Sequence, residues 1–199
     1  MQEYLFLPLL VTFFSAYLYS QEQFDALGAE TVQVRLPEHL EGLDGLVIPG
    51  GESTTIGKLA TEYKLIDPLR KFASKKPTWG TCAGMIFLAK DIGIDSQPIL
   101  GLMDISVNRN AFGRQVDSFE TDLTIAGIQS EDVPFHAVFI RAPLVTEVTD
   151  DVTVLAQLDN EKIVAVEQGH LLATAFHPEL TDDNRIHAYF YDMVTKEID

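Results

Sequence analysis

The chain has 199 residues, 46% of them hydrophobic, and its 14 Lys and Arg against 30 Asp and Glu give a formal charge of −16. That length suits one domain that buries a core without staples, and the single cysteine, Cys82, excludes an intrachain disulfide and a Cys-based zinc site. His39, His136, His170, His177 and His187 show no metal-ligand spacing, and scattered basic residues on an acidic chain argue against nucleic acid, so neither a metal nor a nucleic-acid partner is expected.

In chain order, the first feature is a run of apolar residues, YLFLPLLVTFFSAYLY, over 4–19. A signal peptide wants a basic start and a small-residue cleavage site, yet no Lys or Arg precedes Arg35. A spanning helix wants about 20 apolar residues, and this run is shorter and contains Pro8. A buried first strand of a parallel sheet accommodates a continuous apolar run, and it is the reading we favour, with a helix following near 21–27. A membrane location is thus not expected. Gly28 reads as a helix C-cap, 31–35 as a strand, and 43–48 as another that stops at Pro49-Gly50-Gly51. Ser53 or Thr54 then caps a helix reaching about Tyr63, and 68–74 adds a further helical stretch. A short strand at 76–81 runs into Gly80-Thr81-Cys82-Ala83-Gly84 and a helix over 85–90. From about 100 to 158 the β-branched and turn residues predict antiparallel strands. The end returns to the earlier pattern, with strands at 163–167 and 171–176 and a helix over 183–196. Strands alternating with helices predict a single α/β domain, doubly wound around a mostly parallel sheet with an antiparallel extension.

In such a sheet, ligands bind where the carboxyl ends of strands turn into helices. Cys82 stands at one of these turns. On composition alone a lone cysteine is a buried small hydrophobe or a reactive thiol. G-x-C-x-G, however, is the cysteine counterpart of the G-x-S-x-G elbow, with glycines that permit a tight turn and a helix start whose N–H groups favour thiolate. A thiolate attacking a carbonyl needs a base, and the base an orienting group. His177 and Glu179 supply both, because residues i and i+2 of an extended segment point to one side and Pro178 stiffens it. Gly50-Gly51-Glu52-Ser53 follows another strand and offers backbone donors for an oxyanion. Alone that loop is ordinary. Together the three features match an acyl-transfer site.

In order, PGGES, GTCAG and FHPE resemble the triad-bearing class I glutamine amidotransferases. GLVIPGGESTTIGKL (45–59), WGTCAGMIFLAK (79–90), VNRNAFGRQVDSFE (107–120), FIRAP (139–143) and FHPELTDDNRIHAYF (176–190) resemble one branch of them, the glutaminase subunits of pyridoxal 5′-phosphate synthase. The resemblance spans about residues 22–198 and implies a flavodoxin-like fold. It implies that Cys82 attacks the side-chain amide of L-glutamine to form a glutamyl thioester, with His177 moving protons and Glu179 orienting it. Gly51 and the amide of Ala83 would form the oxyanion hole. Gly51, Glu52, Ser53, Arg109, Ile140 and Arg141 would contact glutamine, an arginine pairing with its α-carboxylate. For the two arginines a structural salt bridge is the other reading. Activity would fall below the pKa of His177. Ammonia would pass to a separate (β/α)8 synthase subunit in a large, cytoplasmic hetero-oligomer. Pyridoxal phosphate would be the product of that assembly, with no cofactor in this subunit.

One departure from the branch stands at the start. Its members open with a strand of the type IGVLALQG, whose glutamine belongs to the subunit contact and to activation. Here Phe14 and Ser15 occupy the positions of that Gln and Gly. Residues 1–20 are therefore an atypical apolar segment ahead of an amidotransferase domain over 21–199. A shifted reading frame or start is the expected cause, and an out-of-frame LQG coding stretch in the gene would reveal it. Three rivals remain: an amidotransferase feeding another acceptor, a weakly active or non-catalytic binding subunit, and a cysteine hydrolase with its histidine beside the elbow. Ala83 holds that last position and argues against the hydrolase.

Overall fold

Short apolar runs bounded by turn residues become strands in this protein, and the amphipathic stretches between them become helices. The computed structural model describes residues 4–6, 14–109, 118–130, 132–159 and 161–196, with backbone alone for 4–6 and 14–18. In chain order the elements are Tyr4–Phe6 (β1), Phe14–Ala26 (α1), Glu30–Val32 (β2), Gly45–Ile48 (β3), Ser53–Glu62 (α2), Ile66–Ala73 (α3), Thr78–Thr81 (β4), Ala83–Leu88 (α4) and Ala89–Asp91 (β5). Then follow Met103–Asn108 (β6), Ser118–Leu123 (β7), Phe135–Ile140 (β8), Leu144–Val148 (β9), Thr153–Gln157 (β10), Ile163–Gln168 (β11), Leu171–Thr174 (β12) and Arg185–Lys196 (α5).

The main sheet runs β2-β1-β3-β4-β12-β11-β9-β6-β5, with β10 also paired to β11, and β7 and β8 form a separate antiparallel hairpin sheet. From β2 to β12 the neighbours are parallel. Beyond β12 the pairs β12–β11, β11–β9 and β9–β6 are antiparallel, and β5 closes the edge parallel to β6. The predicted α/β architecture, a doubly wound parallel part with an antiparallel extension, is the one observed. Its parallel part matters for chemistry, because β3, β4 and β12 are adjacent and end side by side.

Several boundaries differ from expectation. The apolar run is not one strand: β1 takes only Tyr4–Phe6, and α1 already starts at Phe14, while 7–13 fall outside the described residues. The strand β1 needs to match only its short partners, Glu30–Val32 and Gly45-Leu46. The strand expected at 31–35 shortens to Glu30–Val32. The helix after Cys82 stops at Leu88, and Ala89 turns extended to start β5 beside Met103. Among the described residues no helix is long and apolar enough to cross a membrane.

Gly28 caps α1 as expected, at φ +85°, with the Gly28 N–H donating to Asp25 O and the Ala29 N–H to Phe24 O, the paired bonds of a Schellman motif. That ending swings the chain from α1 into β2. Phe24 is fully buried and packs edge-on against Trp79, His187 and Phe190. Burying one such ring stabilises the fold by about 1.5–3 kcal/mol relative to exposing it. Among the described residues neither ring nitrogen of His187 has a partner, and burial pushes its pKa down to about 3. It is a neutral packing residue. His39 accepts from the Arg35 N–H, His170 bonds the Ala73 carbonyl, and exposed His136 lies between Glu120 and Asp122. Four of the five histidines thus have structural partners or packing away from Cys82.

Candidate active site

Cys82 is the single residue between β4 and α4, and it sits at φ +49°, ψ −104°. An L-residue pays about 1–3 kcal/mol for such a conformation, so the surroundings must impose it. They do so from three sides. The parallel register places Thr174 of β12 opposite Thr81, and the Cys82 N–H donates to the Thr174 carbonyl at 2.8 Å. The Thr174 hydroxyl in turn accepts from the Trp79 indole N–H at 3.1 Å, in the core. A Cβ on Gly84 would lie 2.0 Å from the Ile48 carbonyl oxygen, and one on Gly80 would lie 2.5 Å from that of Gly84. The flanking glycines therefore serve close approach between β3, β4 and α4, and the unusual dihedral belongs to the cysteine itself. This differs from the sequence reading, which gave the turn's permissiveness to the glycines.

His177 follows β12 after two residues, and its N–H donates to the Val138 carbonyl of β8 at 2.8 Å. The segment after it is not extended: Pro178–Leu180 forms a 3-10 turn with His177 as its N-cap. Proline's fixed φ suits the first position of such a turn. The pairing with Glu179 nevertheless forms, with His177 Nδ1 2.8 Å from Glu179 Oε1 and both side chains buried. Burial opposes a charge on this imidazole. Hydrogen bonds to Cys82 and Glu179, reinforced by their charges, outweigh it and push the His177 pKa up to about 10. With Nδ1 on Glu179, Nε2 is the nitrogen left for the sulfur. The sulfur also lies 3.8 Å from the Ile140 carbonyl oxygen. Strand β8 thus holds the histidine through Val138 and touches the cysteine through Ile140.

The sequence marks Gly50 only as part of the donor loop, with no role of its own. A Cβ there would come within 2.4 Å of His177 Cε1 and 3.3 Å of the Cys82 Cβ. The loop after β3 therefore lies against the cysteine and the histidine together. Next to it, Gly51 adopts φ +148° and Ser53 is buried at the start of α2. The helix cap is Glu52, in place of the expected Ser53 or Thr54. Its carboxylate accepts from the Thr54 and Thr55 N–H groups at 3.1 and 2.7 Å and from the Thr55 hydroxyl at 2.7 Å. Burial works against that charge, yet the bonds from Thr55 and Thr54 hold the Glu52 pKa down to about 2.

Ala83 opens α4, so its N–H is one of the donors without an acceptor inside the helix. Ile140 is exposed at the end of β8, and Arg141 follows at φ +46°. Arg109 comes from the neighbouring strand end, since Asn108 pairs with Leu144 three residues beyond Arg141. Its guanidinium donates to Gln97, a residue the sequence did not mark. The rest of the motif around it, 110–117, lies outside the described residues. The cysteine, histidine, carboxylate and glycine loop thus meet at the ends of β3, β4 and β12, with β8 laid across them. Such a grouping can attack a carbonyl, move a proton and offer backbone donors to an oxyanion.

The SNO glutamine amidotransferase family model matches residues 12–196 of the chain. The chain is 55% identical over 182 residues to a pyridoxal 5′-phosphate synthase subunit PdxT of Herpetosiphon aurantiacus, covering 89% of this chain and 95% of that one. It is 57% identical over 171 residues to the protein of that name in Carboxydothermus hydrogenoformans, covering 85% and 88%. A crystal structure of a glutamine amidotransferase superposes with a TM-score of 0.86 at 48% identity, over 96% of this chain and 98% of that one.

Proposed function

The chain belongs to the SNO glutamine amidotransferase family, and from that premise we propose that it is the glutaminase subunit of a pyridoxal 5′-phosphate synthase, releasing ammonia from L-glutamine through Cys82, His177 and Glu179. The observation that carries this reading is the alignment of Glu179 on His177 and of His177 on a cysteine held in a strained elbow.

The Cys82 sulfur, as thiolate, adds to the side-chain amide carbon. Oxyanion charge falls to the N–H groups of Gly51 and Ala83. His177, as imidazolium, gives its Nε2 proton to the departing nitrogen, and ammonia leaves as the glutamyl thioester forms. Water then attacks the thioester, passing a proton to the neutral His177, and glutamate departs as the thiolate–imidazolium pair is restored. Glu179 holds the ring in the orientation both steps need. Gly51, Glu52, Ser53 and Ile140 line the glutamine site, and Arg109 and Arg141 receive its α-carboxylate. The ammonia goes to a (β/α)8 synthase subunit in a cytoplasmic hetero-oligomer.

The raised pKa of His177 changes the pH expectation. Activity loss below the pKa of His177 presumes a neutral imidazole, but a pKa raised to about 10 keeps the ring protonated throughout the neutral range. A group with a raised pKa keeps its charge until pH climbs through the raised value, so the limb belonging to His177 lies on the alkaline side. We expect kcat/KM for glutamine to show no His177 limb between about pH 6 and 8 and to decline as pH approaches 10. A limb near 6.5 that coincides with the titration of the His177 ring followed by NMR would overturn the raised pKa.

The function itself is tested by measuring glutamate release with and without a pyridoxal 5′-phosphate synthase's synthase subunit, and glutamine-dependent pyridoxal phosphate formation in the mixture. Release that rises on mixing, together with product formation, is the expected result. Release indifferent to the synthase subunit would overturn the partner, and no release under either condition would overturn the glutaminase reading.

A further inference from the structure

Resting on the reading of Arg109 as a contact for the α-carboxylate, we propose that Gln97 is a positioning residue that aims the Arg109 guanidinium at the substrate. Gln97 is only 5% exposed, yet it lies between β5 and β6 in a stretch with no regular secondary structure. Its Oε1 accepts from Arg109 Nη1. Among the described residues its buried Nε2 has no acceptor. A buried amide with an unmet donor costs more than a well-packed apolar side chain would, so stability does not account for it. What the residue does provide is direction for one fork of a guanidinium.

The backbone that carries Gln97 is pinned by three helices. The Arg70 guanidinium on α3 donates to the Ile99 and Leu100 carbonyls at 2.9 and 3.0 Å. The Leu100 N–H donates to the Phe87 carbonyl of α4 at 2.7 Å, and α4 begins beside Cys82. Gly57 of α2 lies so close that a Cβ there would be 2.5 Å from the Pro98 carbonyl oxygen, and α2 begins at the Gly50-Gly51 loop. The stretch is therefore registered to the same helices that start at the cysteine and at the oxyanion loop. Through Gln97 that register reaches an arginine on another strand end.

The choice of an amide has a chemical reason. A guanidinium has five donors, and a neutral acceptor engages one of them while leaving the positive charge for a carboxylate. A glutamate at position 97 would hold the same donor but neutralise the charge and compete with the substrate.

The test compares L-glutamine with its α-amide, which lacks the carboxylate, using the full chain with the synthase subunit and reading glutamate and isoglutamine as products. Gln97→Met and Gln97→Glu are each expected to raise KM for L-glutamine roughly 10- to 100-fold with kcat within about twofold, and to leave kcat/KM for the α-amide nearly unchanged. Equal losses on both substrates, a loss confined to kcat, or no change would each overturn the proposal. Gln97→Leu also removes the acceptor at similar volume, so it carries the test with the same expected outcome if the methionine variant does not fold, while Gln97→Glu reads the effect of charge with the acceptor kept. Arg109→Met separates the carboxylate contact from its positioning by Gln97. If it discriminates the substrates while the Gln97 variants do not, the positioning role falls and the contact stands; if it fails to discriminate them, the contact reading itself falls.

Discussion

Cys82→Ala and Cys82→Gly will both release no glutamate from glutamine, and the glycine variant will be the more stable of the two by about 1–3 kcal/mol. The first half follows from chemistry, since neither side chain can form a thioester. The second half reverses the usual order, in which glycine in a folded chain is the less stable by about 0.5–1 kcal/mol relative to alanine. The reversal comes from φ +49° and ψ −104°, where a Cβ is strained and glycine is not. Because the two variants share the loss of sulfur, their difference isolates backbone strain from lost packing. Urea unfolding of both proteins gives the number. Equal stabilities, or a more stable alanine variant, would show that the elbow relaxes when the sulfur is gone, and the strain would then belong to the thiol's contacts with His177 and Ile140. Residual glutamate release from either variant would remove Cys82 from the mechanism.

Gly50→Ala is expected to lower kcat for glutamine by about 100-fold or more while leaving the fold in place, because a misplacement of catalytic groups by about 1 Å costs that much. The new methyl would stand 2.4 Å from His177 Cε1, well inside contact distance, and the buried ring cannot yield without loosening its 2.8 Å bond to Glu179. The loop is the alternative place for the shift, which would carry Gly51, the proposed oxyanion donor, out of line. Either movement reports on chemistry more than on binding. Gly84→Ala provides the contrast, since its methyl would meet a backbone oxygen at 2.0 Å that has nowhere to go, and there the loss should appear in stability. Steady-state kinetics beside thermal unfolding distinguishes the two. A Gly50→Ala variant with unaltered kcat would mean that the loop does not hold the histidine.

The parts of this protein legible from residues alone are those governed by local chemistry. The Schellman end at Gly28 is one, because a left-handed residue is needed there and glycine supplies it at least cost. The strands that stop at Gly50-Gly51 and at Cys82 are others, since apolar runs cut off by turn residues have few alternatives. Element ends were less legible wherever a partner decided them. Strand β5 exists because β6 lies beside it, and nothing within Ala89–Asp91 argues for a strand over the last turn of a helix. The cap at Glu52 was hidden for a similar reason: Ser53 and Thr54 are the better capping residues by type, and the longer carboxylate simply reached the same N–H groups.

For the site, the sequence by itself determined which residue types were available and in what order, and G-x-C-x-G, His-Pro-Glu and Gly-Gly-Glu-Ser carried enough chemistry to be picked out. Only the tertiary structure decided that they meet. Cys82 and His177 are 95 positions apart, and the parallel register of Thr81 with Thr174 is what brings the two strand ends together. The packed chain also assigned roles that no residue type announces: the Val138 and Ile140 carbonyls on the histidine and the sulfur, Gly50 as the floor under the ring, Gln97 as the partner of Arg109. The physical reason is that backbone carbonyls and missing side chains act through position alone. Position is a property of the packed chain, so no local pattern of side chains encodes it.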